Sequence, residues 1–285
     1  MGALADIKAD ALDLVWFGEV DVGDGIVPIA MAGDIESAGP PLVLLHGWTL
    51  DWRMWLPQLA ALSQRHFLVM PDRRGFGRST APPDLAREAD DIQRIADFLG
   101  LETFALLGLS QGASIALDYA HRHAWRLCCV IASGAPLSNL VPRDEVIDIE
   151  QYEAWAKAGD MDAMRTDWSR HELMRHENPQ TSALVDTILA DYDGRDLLSP
   201  SSARSVPTDA LAHLPVPLLA MTGDGDTNWR RECARALADK ALRGSHAEVE
   251  GAGHLANLDQ PEAFNRIIGD YLDLCAARRA EKDNQ

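Results

Sequence analysis

Five residues, Gly108-Leu109-Ser110-Gln111-Gly112, restrict what this chain can fold into more than any others. They follow a short apolar run, Thr103-Phe104-Ala105-Leu106-Leu107, that reads as a buried strand. They open a segment, 111–121, in which Ala113, Ile115, Ala116 and Tyr119 predict a helix. Strand, tight turn and helix around Gly-x-Ser-x-Gly is the context of a nucleophile elbow, where a strained turn lifts a serine hydroxyl clear of the backbone. A side chain at either flanking position would crowd the turn or the neighbouring strand.

Strands and helices alternate on both sides of this elbow. Residues 12–34 alternate weakly around Gly23-Asp24-Gly25, which predicts an antiparallel hairpin at one edge of a sheet. Apolar runs at 41–45, 66–70 and 127–132 read as strands, and 52–62 and 90–99 as helices. That order predicts an α/β fold, with a mainly parallel sheet covered by helices on both faces. The character changes near Ser138. From there to Pro207 no strand is evident, and 150–158, 161–175 and 182–191 read as helices. The expected organisation is a first core part at 1–137, a helical cap at 138–207 and a second core part at 208–285. In that last part strands are expected at 217–221 and 247–250, helices at 230–241 and 261–274, and a frayed charged tail from Arg278.

Composition narrows the partners. The chain of 285 residues carries 44 acidic and 26 basic side chains, a formal net charge of −18. That charge repels polyphosphate backbones, so nucleic acid is not an expected partner. No apolar stretch approaches the length of a membrane span, so no membrane association is expected. The first residues hold no basic segment followed by an apolar run. Of the four cysteines, Cys128 and Cys129 are adjacent in an apolar run and are expected to face opposite sides of a strand, and no Cys-x-x-Cys occurs. A reducing cytoplasm is the expected compartment. Oligomeric state is left open.

A nucleophilic serine needs a base, and the base needs an orienting acid. With this elbow they follow in the order Ser, Asp or Glu, then His, each on a loop after a later strand. The strand at 217–221 runs into Thr222-Gly223-Asp224-Gly225-Asp226, and the strand at 247–250 into Gly251-Ala252-Gly253-His254. His254 is the expected base. Asp226 and Asp224 are both candidate acids. Asp226 is favoured because it lies further past the strand, which leaves Asp224 as a turn residue. Two backbone N–H groups must face the developing oxyanion, and Gln111 and Trp48 are placed to supply them. His46, before Gly47-Trp48, is expected to brace that loop rather than act as base. Leu109, Trp155, Trp168, Trp229 and Leu255, with the Trp48 side chain, are candidates for the pocket lining.

Taken together these residues resemble the α/β-hydrolase superfamily over about residues 12–274. The landmarks are His46-Gly47-Trp48, the run Asp72-Arg73-Arg74-Gly75-Phe76-Gly77-Arg78-Ser79, the Ser110 elbow, Asp226, and Gly251-Ala252-Gly253-His254-Leu255-Ala256-Asn257-Leu258. The resemblance implies about eight strands, a cap after the sixth, and a Ser110–His254–Asp226 triad. The nearest look is to small bacterial carboxylesterases, enol-lactonases and cofactor-free haloperoxidase-like members. A serine nucleophile, rather than an aspartate, argues against haloalkane dehalogenase and epoxide hydrolase chemistry. Gln111-Gly112-Ala113 departs from the Met-Gly-Gly of many esterases and lactonases of this type. The expected activity is hydrolysis of small to medium carboxylic esters through an acyl-enzyme, with no metal or organic cofactor. A lactonase or perhydrolase would use the same triad. A non-catalytic ligand-binding relative would be expected to lack one of its members.

Overall fold

The computed structural model describes residues 12–176, 178–199 and 204–283. Eight strands form one sheet: β1 (Trp16–Asp21), β2 (Ile26–Ala32), β3 (Leu42–Leu45), β4 (Leu68–Pro71), β5 (Phe104–Leu109), β6 (Leu127–Ser133), β7 (Leu218–Gly223) and β8 (Gly244–Val249). Their spatial order is β1-β2-β4-β3-β5-β6-β7-β8. The expected hairpin at the edge is β1 and β2, and β2 also runs antiparallel to β4. From β4 to β8 every neighbouring pair is parallel.

The central strands explain their composition. β3, β4 and β5 are buried along their whole length. A parallel sheet covered on both faces needs apolar side chains at every position, not alternate ones. Leu42 and Leu44 pack into one core cluster and Val43 and Leu45 into the other, following the two-residue period of a strand. Phe264 and Ile268 of the helix Pro261–Asp283 help close the first face. Ile92, Ile115 and Leu237, from three other helices, close the second.

This order places the site. After β3 the chain turns to β4 on one side, then returns to β5 on the other. The loops leaving the carboxyl ends of β3 and β5 diverge there and open a crevice. The loop after β3 carries Gly47-Trp48, and the loop after β5 carries Ser110.

Some expectations shift. Between β6 and β7 the described residues form helices and no strand, but the helix expected over 161–175 stops at Trp168. A separate turn, Glu172–Met174, follows, started by His171, whose side chain accepts the Leu173 N–H. The terminal helix runs on to Asp283, into the tail expected to fray from Arg278. β8 begins at Gly244, earlier than expected, because this half-buried edge strand has little apolar content to mark it. Cys128 and Cys129 pack against the same core cluster instead of opposite faces. The β5–β6 register skips a residue between Leu127 and Cys129, and such a bulge breaks the alternation. Among the described residues no helix is long and apolar enough to cross a membrane.

Candidate active site

Ser110 adopts φ 55° and ψ −115°, one of two positive-φ positions outside glycine among the described residues. Its N–H donates to Ser133 O at 2.7 Å, so the turn is tied to the end of β6. The flanking glycines are required by space. A Cβ on Gly108 would lie 2.1 Å from Gly112 O, and one on Gly112 would lie 2.4 Å from Leu45 O. The elbow helix can only start where it does if both side chains are missing.

His254 is 4% exposed and reaches the same crevice from the loop after β8. Its Nδ1–H donates to Asp226 Oδ2 at 2.9 Å. Oδ1 of that carboxylate accepts the Thr227 N–H at 2.7 Å. With Nδ1 occupied by a carboxylate, Nε2 is left as the acceptor. Asp224 goes elsewhere: its Oδ1 accepts the N–H groups of Gly251 and Ala252 at 2.9 and 3.3 Å, which joins the two loop ends. The residues after His254 hold its loop. Asp259 Oδ2 accepts the Gly253 N–H at 2.7 Å, and Asn257 is buried, donating to Met54 O at 2.9 Å.

Ser110 and His254 line one cavity of about 590 Å3, together with Trp48 and Gln111. No hydrogen bond joins the serine to the histidine in this structure. The Ser110 hydroxyl instead accepts from Arg230 Nη1 at 3.4 Å. Of the expected lining residues, Leu109, Trp168, Trp229 and Leu255 face this cavity. Trp155 does not. Its helix, Ile149–Ala158, turns Ile149 and Glu153, four residues apart, toward the cavity, while Trp155 stacks on Tyr152 at 6.0 Å. Asp226 sits behind His254, outside the lining.

The loop after β3 is braced from both sides. His46 is fully buried, accepts the Arg73 N–H on Nε2 at 3.1 Å and donates from Nδ1 to Gly47 O at 2.8 Å. Burial, with the Arg73 charge, holds its pKa well below the ordinary imidazole value, so it stays neutral as a brace. From the inserted helices, Trp168 Nε1 donates to Thr49 Oγ1 at 2.9 Å and Asp196 Oδ2 accepts from Trp48 Nε1 at 2.7 Å. Under the elbow, Arg73 Nη2 donates to Gln111 Oε1 at 2.7 Å while Nη1 meets Glu88 Oε2 at 3.2 Å. Burial pushes the Glu88 carboxyl up to about 7.

Sequence reasoning missed Gly134, Glu145, Asp196 and Arg230. Gly134 has φ 58°, and a Cβ there would lie 2.7 Å from His254 Cε1. Its position just past a strand that abuts the elbow was the only available signal.

A family model described as the alpha/beta hydrolase family matches residues 42–267. The chain belongs to that family. The hydrolase is 38% identical over 259 residues to the AB hydrolase superfamily protein YisY of Bacillus subtilis, covering 82% of this chain and 91% of YisY. It is 29% identical to carboxylesterase YbfK of the same organism, over 82% of this chain and 80% of YbfK. Among solved structures, the enol-lactonase of Burkholderia xenovorans LB400 superimposes with a TM-score of 0.75 at 22% identity, covering 90% of the hydrolase and 100% of that chain. At that identity the likeness is one of fold.

Proposed function

We propose that this hydrolase cleaves carboxylic esters of small to medium size through an acyl-enzyme on Ser110. One observation carries the reading: His254, with Nδ1 tied to Asp226 at 2.9 Å, shares a cavity with a serine held on a strained elbow. The relation to a carboxylesterase supports the ester class. A cavity of about 590 Å3 falls inside the range of small-molecule sites, about 300–1,000 Å3. A net charge of −18 favours a small molecule over a polyanion. Cytoplasmic residence belongs to the same proposal.

In the proposed reaction the Ser110 hydroxyl turns to Nε2 of His254, which lines the same cavity. Catalytic hydrogen bonds that are open in a free enzyme tighten in the Michaelis complex. His254 takes the proton as Ser110 attacks the ester carbonyl. The Trp48 and Gln111 N–H groups hold the oxyanion. The Gln111 N–H is free for this because the first N–H groups of a helix have no acceptor within it. His254 then protonates the leaving alcohol and later activates the water that releases the acid. Asp226 fixes the tautomer and stabilises the imidazolium. Each step is carried by a side chain or a backbone N–H.

The test is hydrolysis of p-nitrophenyl esters from acetate to laurate by the native protein and by Ser110→Ala. Turnover in the native protein that vanishes in a folded variant is expected, and the preferred chain length sizes the cavity. A folded native protein that cleaves none of these esters would sink the general-esterase reading in favour of a lactonase or a binding role.

A further inference from the structure

Arg230 stands beside the nucleophile, and the acyl-transfer scheme leaves it without a task. It lies in the first turn of the helix Asn228–Lys240, four residues after Asp226, and is 2% exposed. Its guanidinium is fixed on several sides. Nε and Nη2 grip Glu145 at 2.8 and 2.7 Å. Nη1 donates to Gly134 O at 2.7 Å and to Ser110 Oγ at 3.4 Å. Glu145 comes from the segment that leads into the inserted helices, and it also accepts from Thr227 Oγ1 and Arg143 Nη2, each at 3.3 Å. Burial alone would raise the Glu145 carboxyl. The hydrogen bonds and charge of Arg230 outweigh that, His254 and Arg143 add to them, and the carboxyl sits below its ordinary value.

A buried ion pair is a costly way to fill space, since apolar residues of similar volume often serve stability as well or better. A specific geometry is what this pair offers instead. A guanidinium can only donate. Against it, Ser110 Oγ must be the acceptor, which leaves the serine's own proton for another acceptor. His254 Nε2, in the same cavity, is the acceptor that proton meets in the proposed reaction. As the proton leaves, negative charge grows on Oγ, and a donor held beside it by Glu145 stabilises that charge. Glu145 offsets the guanidinium charge, so the imidazolium that forms at His254 is not opposed by a bare cation.

We infer that Arg230, clamped by Glu145, is a further catalytic residue: its Nη1–H steers the Ser110 hydroxyl proton toward His254 and stabilises the oxygen during attack. This rests on the serine-nucleophile reading above.

The experiment measures two things in native protein, Arg230→Gln, Arg230→Lys and Glu145→Gln, each checked for folding by thermal unfolding. One is the second-order rate at which an uncharged fluorophosphonate labels Ser110. The other is kcat and KM for p-nitrophenyl acetate. Arg230→Gln should slow labelling and lower kcat by about 10–100-fold, with KM changed by less than about twofold, as for loss of one transition-state donor. Glu145→Gln, which keeps the cation but loosens the clamp, should fall between the two. If Arg230→Gln does not fold, Arg230→Lys carries the test. An ammonium cannot hold Glu145 bidentately and also reach Ser110, so its labelling must fall below native. Native-rate labelling in folded Arg230 variants would overturn the inference. A loss confined to KM, or to esters bearing a carboxylate, would also overturn it, by making Arg230 a substrate anchor. A native protein that the fluorophosphonate does not label at Ser110 would instead remove the nucleophile reading itself.

Discussion

The sheet and the segment inserted between β6 and β7 reach the site by different means. The sheet side is held largely by backbone. Ser110 N–H meets Ser133 O, Asp226 accepts the N–H of Thr227, and the Gly253 N–H meets Asp259. The inserted segment is held by the ends of long side chains. Trp168 reaches Thr49, Asp196 reaches Trp48, and Arg195 reaches the carbonyls of Ser79 and Gly77 at 2.6 and 2.7 Å. Backbone geometry is set by the fold and tolerates little. Side-chain bridges can be replaced one at a time. On the proposed reading the sheet fixes the reacting groups, and the insertion shapes what approaches them.

The sharpest way to break this contrast is Asp226→Asn. It keeps the volume and leaves the histidine in the wrong tautomer, so kcat should fall about 10⁴-fold with the unfolding midpoint little changed. Steady-state turnover within tenfold of native would mean that the acid comes from elsewhere. Next is Gly134→Ala. The added methyl presses on the His254 ring at a backbone of φ 58°. A displacement of order 1 Å is worth about 10²-fold in rate, so kcat is the readout, and native kcat in the variant would count against a rigid sheet side.

A third test uses pH. Burial raises the Glu88 carboxyl from 4.5 to about 7. The folded state then prefers the protonated acid, and the stability it contributes is full below about 4.5 and is lost as pH rises through about 7. Relative to Glu88→Gln, the native protein should lose on the order of 3 kcal/mol across that window. Denaturant unfolding of both proteins at pH 5 and pH 8 measures the gap, and parallel behaviour would refute it. The smallest effect belongs to the insertion. Trp155→Leu should leave the chain-length profile for p-nitrophenyl esters within about twofold of native, since that ring stacks on Tyr152 outside the cavity. A shifted profile would move Trp155 back into the pocket.

What could be read from sequence follows the same divide. The elbow was legible because close approach forbids a side chain at Gly108 and Gly112, and because parallel strands must be apolar throughout. The pairing of Asp226 with His254 was legible because each lies in a glycine-containing loop a few residues past a strand. Arg230 and Glu145 were not. They are 85 positions apart, and no local spacing links a helix side chain to a carboxylate in a loop. Trp155 was misplaced because apolar residues of the inserted helices are covered either at the cavity or by one another. An aromatic residue therefore says only that it is covered. β8 was misplaced because an edge strand lacks the apolar run that marks a central one.

The two indole bridges bear on anyone who would graft a new segment between β6 and β7 of this scaffold. Trp48 Nε1 ends on Asp196, and Trp168 Nε1 ends on Thr49, so both stitches fall within one residue of the proposed oxyanion donor. An insertion exchanged as a cassette would carry away one partner from each stitch. The loop after β3 would lose two of its braces, and on the proposed reading the defect would surface as a slow reaction with every ester rather than as altered preference among them. A transplant has to bring its own acceptor for the Trp48 indole and its own donor for Thr49, or the recipient loop has to be redesigned with it.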